Sequence, residues 1–219
     1  MTIKRDMKYK GIIFDCDGVL VDSEAISCGV LIDLAKEIDI HLDLDYALKH
    51  FSGTSLKFVM DHIKSLTERK LSDNFEQEYR RLCTIRFQTQ IKPIDGIIDV
   101  LESLNIPFCV ASNGPLNKMA LNLQLTGLDK FFRGKMFSAY EINSWKPDPT
   151  LFLLAAKSMG LESKDCAVIE DSLSGVKAGI AGGFDVYALT HTHKMDSLKD
   201  RGVTVFSKMN ELLNLLKRD

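Results

Sequence analysis

Hydrophobic positions in this chain gather into short continuous runs separated by longer stretches of helical spacing. The runs over residues 11–14, 107–111, 166–169 and 184–189 are rich in Val, Ile and Phe and show little polar alternation. That pattern predicts strands covered on both faces, as in a parallel sheet. Between and after them, apolar positions recur every three or four residues over 94–104, 149–159 and 172–181, which predicts helices. A last strand around 203–205 and a helix over 208–216 complete the alternation. The predicted class is α/β, with a doubly wound parallel sheet and a Rossmann-like core.

The segment 22–91 breaks this alternation. It holds no convincing strand, and its periodicity predicts helices over 23–38, 44–50, 55–66 and 72–88. An insertion of about seventy residues is too long for a loop in a compact domain. The expected organisation is an α/β catalytic core from residues 1–21 and 92–219, with 22–91 as an inserted helical cap domain.

Composition narrows the class. Of 219 residues, 45% are hydrophobic and 26% charged, with a formal net charge of -2. No global field draws such a chain to nucleic acid or to an anionic membrane. Neither nucleic acid nor membrane is expected as a partner. The basic run Lys4, Arg5, Lys8 and Lys10 reads as a frayed, solvated end. Five cysteines without paired spacing suit reduced thiols in a cytoplasmic protein. No apolar stretch reaches bilayer length. The expected state is a monomer.

Polar chemistry collects directly after the predicted strands. Asp15-Cys16-Asp17-Gly18 follows the first, Ser112-Asn113-Gly114 the second and Glu170-Asp171 the third. Lys146 lies in Trp145-Lys146-Pro147-Asp148-Pro149, just ahead of a helix. Taken singly, Ser112-Asn113 or Lys146 reads as turn or N-cap chemistry, and Glu170-Asp171 reads equally as the start of a helix or as a functional pair. Asp15 and Asp17 are harder to place that way, because two unit charges 4 Å apart at an effective dielectric of 20 repel by about 4 kcal/mol. Ligands of open α/β sheets bind beyond the carboxyl ends of the strands. Four carboxylates gathered there call for a cation, and hard oxygen donors favour Mg²⁺. Asp15, Asp17, Glu170 and Asp171 are thus the candidate metal residues, Asp17 through its main-chain carbonyl. Asp15 is the candidate nucleophile and Asp17 the acid–base group. Ser112, Asn113 and Lys146 are the candidate phosphate-binding residues.

These four segments resemble, in order and spacing, the motifs of haloacid dehalogenase-like hydrolases. Residues 12–24 are similar to the first motif, Ser112-Asn113 to the second, Lys146-Pro147-Asp148-Pro149 to the third and Glu170-Asp171-Ser172 to the fourth. The helical insertion resembles the small cap of the phosphoglucomutase-like branch. The stretches 112–119 and 137–149 resemble bacterial sugar-phosphate phosphatases of the 6-phosphogluconate type. The resemblance implies a Mg²⁺-dependent phosphatase that hydrolyses a small phosphomonoester through an aspartyl-phosphate.

Rival readings differ at particular residues. Mutases of the branch place a His and an Arg where this chain has Ser27 and Leu56, which disfavours a beta-phosphoglucomutase-like activity. A dehalogenase needs no second acid, so Asp17 and Glu170-Asp171 count against it. A phospho-accepting regulatory domain needs neither a seventy-residue cap nor an acid two residues from the nucleophile, and a phosphate-binding protein without turnover is disfavoured because every motif position is filled. Within the cap, Gly53, Thr54 and Ser55 read equally as a turn with an N-cap or as a substrate-facing specificity loop. Lys57 and Lys118 could meet a substrate carboxylate or a second anionic group, but read first as solvated surface lysines. His41, His50 and His62 read as packing or surface residues; His191-Thr192-His193 follows a strand and could approach the site, but reads first as a plain loop. Trp145 is the only tryptophan.

Overall fold

The computed structural model describes residues 7–190 and 202–218. Six strands form one parallel sheet: β1 (Gly11–Phe14), β2 (Phe108–Ser112), β3 (Met136–Ser138), β4 (Cys166–Glu170), β5 (Asp185–Leu189) and β6 (Thr204–Phe206). Their order is β3-β2-β1-β4-β5-β6, the doubly wound arrangement. The chain crosses to one side of β1 for β2 and β3, then to the other for β4 to β6. The switch point lies between β1 and β4, where Phe14 registers with Ile169.

The chain divides into two compact units. One comprises Met1–Val21 with Pro93–Asp219, the other Asp22–Lys92. In the first unit, β1, β2 and β4 are buried along their whole length, which explains their continuous apolar sequence. Alternate residues serve opposite faces. Ile13, Cys109, Ala111 and Val168 join a core with α9 (Thr150–Ser158) and α10 (Leu173–Ala181). Phe14 belongs to an aromatic group with Phe108 and Phe132, edge-to-face at 5.5–6.4 Å between ring centroids. Phe132 ends α7 (Asp129–Phe132), which follows α5 (Ile97–Ser103) and α6 (Leu116–Leu125).

The second unit consists of α1 (Glu24–Lys36), α2 (Leu44–Phe51), α3 (Leu56–Ser65) and α4 (Phe75–Gln90). It has its own buried cluster, which includes Leu31, Ala47, Val59, Ile63, Cys83 and Phe87. Asp43 caps α2 by accepting from the Tyr46 amide at 2.6 Å, and Ser55 caps α3 by accepting from Phe58 at 3.2 Å. His62 meets the Tyr46 hydroxyl at 2.8 Å and stacks among Tyr46, His50, Phe51 and Phe58.

Several sequence expectations need correction. β3 and α6 to α8, the last being Ala139–Ile142, were not anticipated. β3 is a three-residue edge strand, too short for a recognisable run. The expected helix over 208–216 is a 3₁₀ turn at Met209–Glu211 followed by α11 (Leu212–Leu215). Ser112 and Glu170 do not follow their strands; each is the last residue of one. Lys8 and Lys10 are not a frayed end. Lys8 bonds Asp185 at 3.0 Å and Lys10 bonds Asp165 at 3.0 Å, and the Lys8 amide donates to the Leu216 carbonyl. His191, Thr192 and His193 lie outside the described residues. Among the described residues, no helix is long and apolar enough to cross a membrane.

Candidate active site

Three neighbouring strand ends supply the site. Asp15 follows β1, and its amide donates to the Ile169 carbonyl at 2.9 Å, which extends the β1–β4 pairing by one residue. Glu170 closes β4 and Ser112 closes β2. The crossover order therefore brings residues 15, 112 and 170 together although they are far apart in sequence.

Lys146 is the hub. Its Nζ donates to Asp15 Oδ1 at 2.5 Å, Glu170 Oε1 at 2.6 Å and the Ala111 carbonyl at 2.9 Å. Its side chain is 2% exposed, so each ammonium proton must find a partner inside the protein, and each does. Asp15 and Glu170 hold the ammonium above its ordinary value, against desolvation. Burial pushes the Asp15 carboxyl up, against the pull of Lys146, with Glu170 adding repulsion. The contact geometry is that of an ionised Lys146 shared between two carboxylates.

Lys146 is itself fixed by Asn113. The Asn113 Oδ1 accepts from the Lys146 amide at 2.9 Å, and its Nδ2 donates to the Lys146 carbonyl at 3.4 Å. The side-chain amide of Asn113 thus clips the lysine's main chain, a role that sequence spacing does not reveal. Ser112 Oγ accepts from the Gly114 amide at 3.0 Å, and Ser138 donates to the Gly114 carbonyl at 2.7 Å. These bonds shape the loop after β2.

Glu170 is fully buried and saturated. Beyond Lys146, its Oε2 accepts from the Asp171 amide, the Ser172 amide and the Ser172 hydroxyl at 2.8–2.9 Å. Ser172 caps α10 by accepting from the Gly175 amide. Oxygen atoms of Asp15, Glu170 and Asp171 lie within 4.8 Å of one another, an acidic cluster able to bind a metal. Two glycines make room for it. A Cβ on Gly18 would fall 1.9 Å from Asp171 Oδ2, and one on Gly175 would fall 1.8 Å from Glu170 Oε1. Gly18 also has a φ of +81°, which favours glycine.

Lys118 departs from its expected place as a solvated surface lysine. It stands in the first turn of α6, and its Nζ donates to Asp17 Oδ2 at 2.8 Å. Cys16 lies between the two aspartates, but burial pushes its thiol well above the ordinary value, which disqualifies it as a thiolate nucleophile. Gly53, Thr54 and Ser55 bond within the helical unit. The Gly53 amide donates to Glu24 and the Thr54 hydroxyl to the Phe51 carbonyl, while Ser55 caps α3.

A family model for haloacid dehalogenase-like hydrolases matches residues 9–183, most of the chain and every strand-end group just described. The chain belongs to the haloacid dehalogenase-like hydrolase family. Among curated members it is 32% identical over 215 residues to 6-phosphogluconate phosphatase of Escherichia coli, with 96% of each chain covered. It is 25% identical over 213 residues to the phosphorylated carbohydrates phosphatase of Thermotoga maritima, covering 95% of this chain and 98% of that one. Among solved structures, a conserved haloacid dehalogenase-like protein of Agrobacterium tumefaciens superposes with a TM-score of 0.86 at 31% identity, over 94% of this chain and 97% of that one. This member of the family is a phosphoric monoester hydrolase.

Proposed function

We propose that this haloacid dehalogenase-like hydrolase cleaves a small sugar phosphate, with 6-phosphogluconate as the first substrate to test, and that it requires Mg²⁺. The observation that carries the reading is the buried Asp15–Lys146–Glu170 constellation at the switch point. It presents a carboxylate oxygen and a fixed ammonium at one place. The sugar-phosphate class is supported by the names of the Escherichia coli and Thermotoga maritima relatives.

The donor set suits a hard divalent cation. Four carboxylates, of Asp15, Asp17, Glu170 and Asp171, meet two ammonium groups, of Lys146 and Lys118, which leaves a formal excess of two negative charges. Every donor is oxygen, which favours Mg²⁺ over zinc. Asp15 and Asp171 would hold the ion, with the main-chain carbonyl of Asp17. Glu170, saturated by Lys146 and the start of α10, is assigned the task of holding Lys146. A bound Mg²⁺ would supply charge neutralisation between anionic nucleophile and phosphate.

The chain's own groups do the rest. Asp15 attacks phosphorus and displaces the alkoxide, which takes a proton from Asp17. Asp17 then takes a proton from the water that hydrolyses the aspartyl-phosphate. Lys146, Ser112 and the Asn113 main-chain amide bind the equatorial oxygens, where charge spreads in the transition state. The role of a cap for the helical unit rests on its insertion directly after the Asp15 motif, and the loop of Gly53, Thr54 and Ser55 is its candidate specificity element.

A mutase reading is disfavoured by what stands at two positions. Leu56 packs against the helical unit's own core. Ser27 bonds Tyr79. Neither offers a cationic group to re-orient a phosphorylated intermediate.

The test is phosphate release from a panel holding 6-phosphogluconate, hexose and hexitol phosphates and nucleotides, with Mg²⁺, with EDTA and with Asp15→Asn. Release that needs both metal and Asp15, and that favours sugar phosphates, is expected. Metal-independent release, or full activity in Asp15→Asn, overturns the proposal.

A further inference from the structure

The ammonium of Lys118 lies 2.8 Å from Asp17 Oδ2, and the two side chains are 30% and 26% exposed. This pair is set by the fold. Asp17 is placed by the turn after β1, whose Gly18 amide donates to the Val21 carbonyl at 2.8 Å. Lys118 is placed by the start of α6, next to the loop after β2 that Ser112 and Ser138 tie down. The loop passes close to both partners: a Cβ built on Gly114 would stand 3.8 Å from Asp17 Oδ2 and 3.8 Å from Lys118 Cδ. Lys118 thus spans from α6 to the β1 turn past Gly114, whose position is within van der Waals reach of both partners. A lysine with no task at such a place would extend into water, since ordering its side chain costs up to about 2 kcal/mol of rotamer entropy.

We propose that Lys118 is a positioning residue for the acid–base carboxylate of Asp17, which it holds by one oxygen in the orientation that proton transfer to the leaving oxygen requires. The inference rests on the proposed roles of Asp15 and Asp17. General acid catalysis depends on hydrogen-bond reach and alignment between the carboxyl and the leaving oxygen. A short side chain beside a glycine-lined turn has several rotamers available, and a salt bridge from a neighbouring helix selects one. Lys146 performs the same service for Asp15, but buried and shared with Glu170. Each of the two aspartates is held by its own lysine, delivered by a different strand–helix unit.

The distinguishing readout is leaving-group dependence. Alkyl phosphates expel a poor leaving group and need the proton, whereas an aryl ester such as p-nitrophenyl phosphate expels a stable phenolate without it. The ratio kcat/KM reports steps up to departure of that group. Lys118→Met is expected to lower kcat/KM for a sugar phosphate by about tenfold or more, a part of the 10²–10⁴-fold that general acid catalysis typically supplies as a whole. For p-nitrophenyl phosphate the same variant should change kcat/KM less than about threefold. Lys118→Arg, which keeps a cationic donor, should restore most of the sugar-phosphate rate.

Equal losses on both esters overturn the inference, because a purely structural defect cannot sense the leaving group. A rise in KM confined to substrates with a second anionic group, with kcat unchanged, also overturns it and makes Lys118 a substrate contact. Asp15→Asn is assayed in parallel. Its activity tests the nucleophile assignment alone, so a failure of that reading is seen separately from a failure of the Lys118 role.

Discussion

A Cβ placed on Gly175 would lie 1.8 Å from Glu170 Oε1. Helix α10 therefore approaches the end of β4 as closely as a glycine permits, and the missing side chain is the space that the Glu170 carboxylate occupies. Gly175 also donates its amide to the capping Ser172 hydroxyl, so one residue both receives the helix cap and clears the site.

Gly175→Ala consequently forces Glu170 away from Lys146. Alanine ordinarily stabilises a helix by about 1 kcal/mol relative to glycine, so a gain in stability is the outcome expected from helix propensity alone. The overlap here predicts the opposite, together with a loss of roughly 10²-fold in kcat from misplacement of about an ångström. Urea denaturation and phosphate release measured on one preparation distinguish the two.

Removing the hub should be costly even without substrate. Lys146→Met leaves the carboxylates of Asp15 and Glu170 buried beside each other, and breaking a buried pair in this way costs about 3–5 kcal/mol. Equilibrium unfolding in EDTA is expected to show that loss, with no detectable phosphate release in Mg²⁺. An unchanged denaturation midpoint would show that the ammonium does not compensate these carboxylates.

Metal binding has a readout independent of turnover. An ion that binds only the folded chain stabilises it by about 2.7 kcal/mol at a hundredfold excess over its Kd. Mg²⁺ should raise the thermal midpoint of the unmodified protein in the absence of substrate. Asp171→Ala should abolish that rise, whereas Glu170→Gln should retain part of it, because the Glu170 oxygens are engaged by Lys146 and the start of α10. Equal loss in both variants would place Glu170 among the ligands.

Away from the site, Asp185 predicts a pH effect. The Tyr9 hydroxyl donates to it at 2.7 Å and Lys8 at 3.0 Å, and these partners hold its carboxyl below the ordinary carboxylate value. A depressed folded value contributes stability that is present above the unfolded carboxylate value and is lost as pH falls through the folded one. Asp185→Asn should therefore lower the thermal midpoint at neutral pH and flatten its decline on the acid side. Parallel acid limbs in the two proteins would remove Asp185 from the account.

Much of this architecture can be read locally. The runs at β1 and β4 are uninterrupted because both sheet faces are covered there, and that burial is written into consecutive residues. The helical insertion is legible from the absence of a continuous apolar run over 22–91 and from the helices of its second and third segments, which have a clear apolar face. β3 escapes notice because three residues, one of them Ser138, carry too little pattern. α6 does have a signal, in Pro115 ahead of Leu116, Met119 and Leu123, but that spacing names a helix without saying what its first turn faces.

Residue chemistry and its order along the chain were determined by the sequence alone. Asp15, Ser112 and Glu170 are legible as strand-end residues, and Lys146 as a residue just ahead of a helix, because periodicity is a local property and its breaks mark where elements stop. The tertiary structure decided the partnerships. Lys118 reads as a surface lysine until α6 is seen to start beside the β1 turn. Asn113 reads as a turn residue until its amide is seen on the main chain of Lys146. Glu170 reads as one more metal carboxylate until its oxygens are counted against their donors. Each of these depends on which strands adjoin, and that is set by crossover order and burial over distances that no local pattern spans.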